Sequence, residues 1–141
     1  MWLVAVACLA LAACSGAEPA ATVGEPEIAN QGIAVAFAWA AVGGPGDAPP
    51  VRWVDGVPCK GRKWPAIELG DICAAGMWDG RAATLVRVLP EFGLPIADSG
   101  LVHEFMHAAL QFNDGDPDSA HASAEWSAVE PAKALLREAG L

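Results

Sequence analysis

The sequence predicts one small domain of the α+β class, and three observations carry that prediction. Residues 98–112 place apolar side chains around most of a helical axis, and residues 123–138 show amphipathic helical spacing. Between these and the amino-terminal third lies a short, β-branched apolar run, residues 81–89, which ends at Pro90 and reads as a strand. With 141 residues, 54% of them hydrophobic, the chain can fill one core but not two. Its net charge of −9 and lack of a basic stripe exclude nucleic acid as a partner.

Residues 1–13 are uncharged and apolar, with a small-residue end. They are too short for a spanning helix, which needs about 20 residues, and read as a signal-peptide core. Leu11-Ala12-Ala13-Cys14 then resembles the lipobox of bacterial lipoproteins. The resemblance implies that Cys14 is lipidated and becomes the mature N-terminus. In Gram-negative lipoproteins a residue such as Ser15 after the cysteine implies outer-membrane sorting, so the expected location is the cell envelope, lipid-anchored and facing the periplasm. More than one acyl chain makes such anchoring stable. Residues 14–27 are small, polar and broken by proline, a flexible tether, and the folded domain is expected over 28–141.

Residues 28–42 carry two competing patterns. Ile33, Val35, Phe37 and Trp39 alternate as in a strand, whereas Ile28, Val35, Trp39 and Val42 fall near helical spacing. The many alanines and the stop at Gly43-Gly44-Pro45 favour a helix. After a turn-rich loop, Val51-Arg52-Trp53-Val54 before Asp55-Gly56 reads as a strand and turn. With Cys8 lost in the signal and Cys14 committed to lipid, Cys59 and Cys73 remain, and an even pair in an exported chain predicts a disulfide. Closing a loop of about 15 residues is worth roughly 3 kcal/mol in the chain-entropy model. The segment between them, with Lys60, Arg62 and Lys63, is expected to be an exposed loop. Asp98 or Ser99 can cap the helix that runs to about Phe112, and Pro131 is expected to bend or split the last helix.

All three histidines of the chain lie between positions 103 and 121. In His103-Glu104-Phe105-Met106-His107, a step of four residues turns a helix by about 400°, so both imidazoles occupy one face. Glu104 sits one step round the helix, close enough to hold water at a metal without ligating it. A catalytic zinc takes three protein ligands and keeps one position open. His121, at the start of the next helix, is the leading third ligand; Glu125 and Glu130 are alternatives. Leu110 and Asn113 stand where the metzincin pattern needs Gly and His, which excludes that subclass.

His103-Glu104-x-x-His107, a loop, then His121 followed by Trp126 resembles the zincin-type metallopeptidases, loosely the SprT-like minimal zincins. The likeness covers about 30 residues, and Ala122 stands where that family often has glycine after the third His. It implies a zincin-like domain, with a short sheet beside the metal-binding helix and a second, C-terminal helix. It also implies Zn²⁺ held by His103, His107 and His121, with Glu104 as general base in the hydrolysis of a peptide or protein substrate. The strand over 81–89 would lie beside the metal helix and offer its edge to an extended substrate. Oxyanion stabilisation usually falls to Tyr, His or Arg; with no Tyr, Arg81, Arg87 and Arg137 are the candidates. The competing reading is a non-catalytic surface lipoprotein that binds zinc or calcium. Asp114, Asp116, Asp118 and Glu125 imitate a calcium loop, although Ser119 occupies its glycine position. Otherwise one of these aspartates is expected to orient a ligating imidazole.

Overall fold

The structure, a computed structural model, describes residues 31–87 and 96–141. The signal segment 1–13, Cys14 and the tether lie outside the described residues. Over the described residues the chain is mixed α and β, with three α-helices, a three-stranded sheet and a two-stranded hairpin.

Helix α1 (Gln31–Ala41) follows the helical rather than the alternating pattern. It stops in two bonds, from Gly43 N–H to Ala40 O (3.1 Å) and from Gly44 N–H to Trp39 O (3.0 Å), with Gly43 at φ 76°. This is the Schellman ending that glycine favours. A Cβ on Gly44 would lie 2.1 Å from the Trp39 indole, so the stop signal also makes room for a core side chain. Trp39 in turn packs edge-on against Phe105 and Phe112, with centroids 5.4 and 5.9 Å away, and so ties α1 to the metal-motif helix.

Strand β1 (Val51–Val54) pairs in parallel with β5 (Ala83–Val86), and β5 pairs antiparallel with β4 (Gly76–Trp78), giving the order β1-β5-β4. Two sequence expectations change here. The strand expected over 81–89 forms over 83–86 within the described residues, but it is central, so it has no edge to offer. The free edge beside the histidine helix belongs to β4, whose three residues are too few to show an alternating pattern.

The segment between the two cysteines is not simply a loop. It contains most of a hairpin, β2 (Ile67–Leu69) and β3 (Ile72–Ala74), turning through Gly70-Asp71. Gly70 takes φ 62° at the first central position of that two-residue turn, a conformation glycine adopts without a Cβ clash. Cys59 and Cys73 stand at disulfide distance, their Cα atoms 6.0 Å apart, which fastens the preceding basic loop to the hairpin.

Helix α2 (Leu101–Asp114) follows a 3-10 turn at Ile96–Asp98, and Ser99 Oγ accepts a bond from Leu101 N–H at 3.2 Å. It ends at Gly115, φ 80°, whose N–H bonds Gln111 O. Leu101, Val102, Phe105 and Met106 are buried with Leu85, Trp53 and Leu136, so α2 is the helix around which the core is built. Each such side chain contributes about 1.5–3 kcal/mol by burial. A 3-10 segment (Ala124–Ala128) precedes α3 (Val129–Glu138), which packs on both α1 and α2. The split therefore falls before Pro131, which sits in the first turn of α3 where its missing N–H would have had no helical partner. Among the described residues no helix is long and apolar enough to cross a membrane.

Candidate metal centre

Because α2 is buried on most of its surface, most of the few polar residues it carries share one window, Asn113, which bonds Gly43 O, lying apart. His103 and His107 are half-buried there, one turn apart. His121 reaches them from the following loop, its Nε2 lying 3.2 Å from Nε2 of His103 and 3.2 Å from that of His107. Among the described residues these three form the one group of His, Cys, Asp or Glu whose ligand atoms gather closely enough for a metal, all within 4.8 Å. Glu125 is exposed and outside the group, and Glu130 is paired with Lys133 at 2.8 Å. Asp114, Asp116 and Asp118 are not gathered into such a group either.

Hydrogen bonding alone does not explain this approach. His107 Nδ1 lies 2.7 Å from the Pro117 carbonyl, which can only accept, so in the neutral ring the proton resides on Nδ1. Nε2 of His107 is thus left with its lone pair facing the other rings. A proton on His121 Nε2 could serve only one of its two neighbours. The three nitrogens stand within the distance at which they could hold one metal ion.

The loop carrying His121 has its own support. Asp118 and His121 both take left-handed backbone conformations, φ 48° and 55°, and His121 N–H bonds Asp118 O at 2.9 Å. Such a conformation costs a non-glycine residue about 1–2 kcal/mol, so the surroundings must hold it. The Asp118 carboxylate does so, accepting from Ser123 N–H (2.7 Å), Ala122 N–H (3.1 Å) and Trp126 Nε1 (2.8 Å). These donors, the Ser123 and Ala122 amides foremost, hold its carboxyl well below the usual range. Trp126 also contacts all three imidazoles, with centroids 5.0, 4.7 and 4.2 Å from His103, His107 and His121. No aspartate–imidazole hydrogen bond of the expected kind is formed among the described residues: Asp118 braces the loop, and the ring of His107 bonds the Pro117 carbonyl. Ala122 has no positive φ, so no glycine is required after His121.

Glu104 faces inward and is 5% exposed. The Trp78 backbone N–H donates to its carboxylate, while burial outweighs that bond and pushes its pKa up to about 7. Gly76, also on β4, is what lets this side chain pass: a Cβ there would lie 2.8 Å from Glu104 Cγ and 2.7 Å from Leu85 Cδ2. Burial also lowers His103, aided by the neighbouring imidazoles and Lys133, to about 4, and it lowers His107 against the opposing Pro117 bond.

A cleft of about 500 Å³ runs past His103, Glu104 and His107 along β4, reaching Gln111 and the hairpin residue Leu69. Gln111 accepts from Trp78 Nε1 (2.6 Å) and donates to Gly80 O (3.3 Å), bracing the end of β4 against α2. Of the three arginines suggested for the oxyanion, Arg87 pairs with Asp55 and Arg137 with Asp98, and Arg81 is exposed. None of the three lines this cleft or the smaller one on the far side of Glu104, whereas Arg62 does line the latter. Gly76, Trp78, Gln111 and Arg62 escaped the sequence reading, since each gains its place only through tertiary packing. No family model matches the chain, and neither a curated protein nor a solved structure matches it.

Proposed function

We propose that this chain is a zinc-dependent metallopeptidase with a zincin-like domain, lipid-anchored through Cys14. The observation that carries the reading is the convergence of three imidazole Nε2 atoms beside a buried glutamate on a cleft that follows a free strand edge. Tetrahedral zinc with Zn–N bonds of about 2.0–2.1 Å spaces its nitrogens about 3.3–3.4 Å apart; the two separations from His121, 3.2 Å each, are near that spacing, and all three nitrogens lie within 4.8 Å of one another. An all-nitrogen donor set suits zinc, whereas calcium takes oxygen. Zinc held there polarises a carbonyl and lowers the pKa of water to about 7.

The remaining chemistry belongs to the chain. Glu104 takes a proton from the attacking water and returns it to the leaving amine, and the Trp78 N–H fixes the orientation of the carboxylate. On β4, Val86 N–H bonds Ala75 O and Asp79 N–H bonds Ala82 O, so the odd-numbered residues face β5. By antiparallel alternation the backbone groups of Gly76 and Trp78 face the other way. The Trp78 amide is engaged by Glu104 and Gly76 is buried, which leaves the Trp78 carbonyl, on the cleft, to accept from an extended peptide. A structural site would need neither the glutamate nor the cleft. The test compares wild type with Glu104→Gln, which should keep zinc. Both are incubated with an unfolded protein and a peptide library, with and without a zinc chelator. Chelator-sensitive cleavage by wild type alone is expected; equal absence of cleavage in both zinc-loaded proteins would assign the metal to structure or binding.

A further inference from the structure

On the far side of Glu104 and His103 from the larger cleft lies a second one, of about 340 Å³. Two cations line it from different elements: Arg62 of the disulfide-fastened loop and Lys133 of α3. In a chain of net charge −9 their meeting beside the general base is not an average property of the surface.

Each is held with donors to spare. Arg62 Nη1 donates to the Cys73 carbonyl at 2.6 Å, which fixes the guanidinium against β3 and leaves it other N–H groups. Among the described residues Arg62 has no ion-pair partner. Lys133 bonds Glu130 on its own helix, an exposed i,i+3 pair of the kind that contributes little, and keeps two more donors. Asp98 is the one other acid on this wall, and its carboxylate is taken by Arg137. The cleft is therefore a recess with fixed positive charge that opens on Glu104.

We infer that Arg62 and Lys133 bind a carboxylate of the substrate, so that the site selects peptides with a negative group next to the bond that is cut. The inference rests on the peptidase reading for its substrate, but the two fail separately. A carboxylate reaches such a recess either from a peptide C-terminus or from an Asp or Glu side chain. Arg fixes it through paired N–H donors and Lys as a point charge.

The test uses the full chain carrying Glu104→Gln, so that no turnover competes, and three fluorescein-labelled alanine pentapeptides. One has a free C-terminal carboxylate, one a C-terminal amide, and one an amide with a single internal glutamate. Fluorescence anisotropy is read with zinc and with excess chelator, because zinc itself attracts carboxylates. At least one carboxylate-bearing peptide is expected to bind about tenfold or more tightly than the neutral amide, with or without zinc. Which one it is identifies the source of the charge. Arg62→Gln and Lys133→Gln should each remove most of that preference, while Arg62→Lys keeps part of it, with thermal melts confirming the fold. If one variant does not fold, the other still decides. Equal binding of all three peptides, no binding of any, or a preference that survives both Gln substitutions would overturn the inference. Preference without any cleavage by the Glu104 chain would sink the peptidase reading alone; cleavage without preference would sink this cleft alone.

Discussion

The centre is assembled from two unlike halves. His103 and His107 stand on a fourteen-residue helix whose neighbours Leu101, Val102, Phe105 and Met106 are fully buried, so their positions follow from the core. His121 stands on an exposed loop at φ 55°, and its position follows from one carboxylate, Asp118, and one indole, Trp126. The difference teaches where each imidazole draws its rigidity: the first two from hydrophobic packing, the third from a few hydrogen bonds within its loop. The helical pair can be lost only with the ligand itself, whereas the loop ligand can be loosened without being touched.

The comparison breaks most severely when a helical ligand is removed. His107→Ala, with its fold intact, should weaken zinc binding by a factor on the order of a thousand, since a structural zinc site gains several kcal/mol per ligand. Competition with a chelating dye measures it. Asp118→Ala leaves all three imidazoles in the chain and should still weaken zinc binding by about 10–100-fold in the same titration. Asp118→Asn should fall between, because its amide keeps one oxygen to accept from the loop. An Asp118→Ala protein with wild-type affinity would show that the loop holds His121 without this network.

Gly76→Ala tests the packed half from the outside. The added methyl meets Glu104 and Leu85 at under 3 Å, and overpacking of this kind costs about 1–3 kcal/mol, read as a lower urea midpoint. The last expected effect is on the pH dependence of the metal-free fold. His103 titrates near 4 when folded against 6.5 in the open chain, so between these values the unfolded chain binds more protons and stability falls on acidification. Glu104 titrates near 7 when folded against 4.5, which makes stability fall as pH rises from 4.5 to 7. The two slopes oppose each other. Glu104→Gln removes the second, so in the presence of chelator its urea midpoint should gain on wild type between pH 4.5 and 7. A constant difference between the two proteins would contradict the assignment.

These contrasts also show which parts of the site could be read before folding. His103 and His107 are legible because a spacing of four residues states its own geometry on any helix. Cys59 and Cys73 are legible as a pair by elimination, and the structure brings them to bonding distance. Helix α1 was legible through its alanines and glycine stop, although its alternating pattern argued for a strand. Strand β4 was not, since Gly-Met-Trp is too short to alternate and its pairing comes from β5. Nor was the hairpin hidden among the charges of the disulfide segment, although Leu69-Gly70-Asp71-Ile72 carries the turn signal that could have found it. Gly76 and Arg62 had no local signal, because what they touch is 28 and 11 residues away in sequence: Glu104 for the one, the Cys73 carbonyl for the other.

The central claim is that three imidazoles hold one zinc and that Glu104 is not among its ligands. X-ray absorption at the zinc edge, together with elemental analysis, tests it on wild type, Glu104→Gln and His121→Ala. The account predicts one zinc per chain with three nitrogens at about 2.0 Å in wild type and Glu104→Gln, and a marked loss of metal in His121→Ala. Zinc retained undiminished in His121→Ala, or lost in Glu104→Gln, would contradict it.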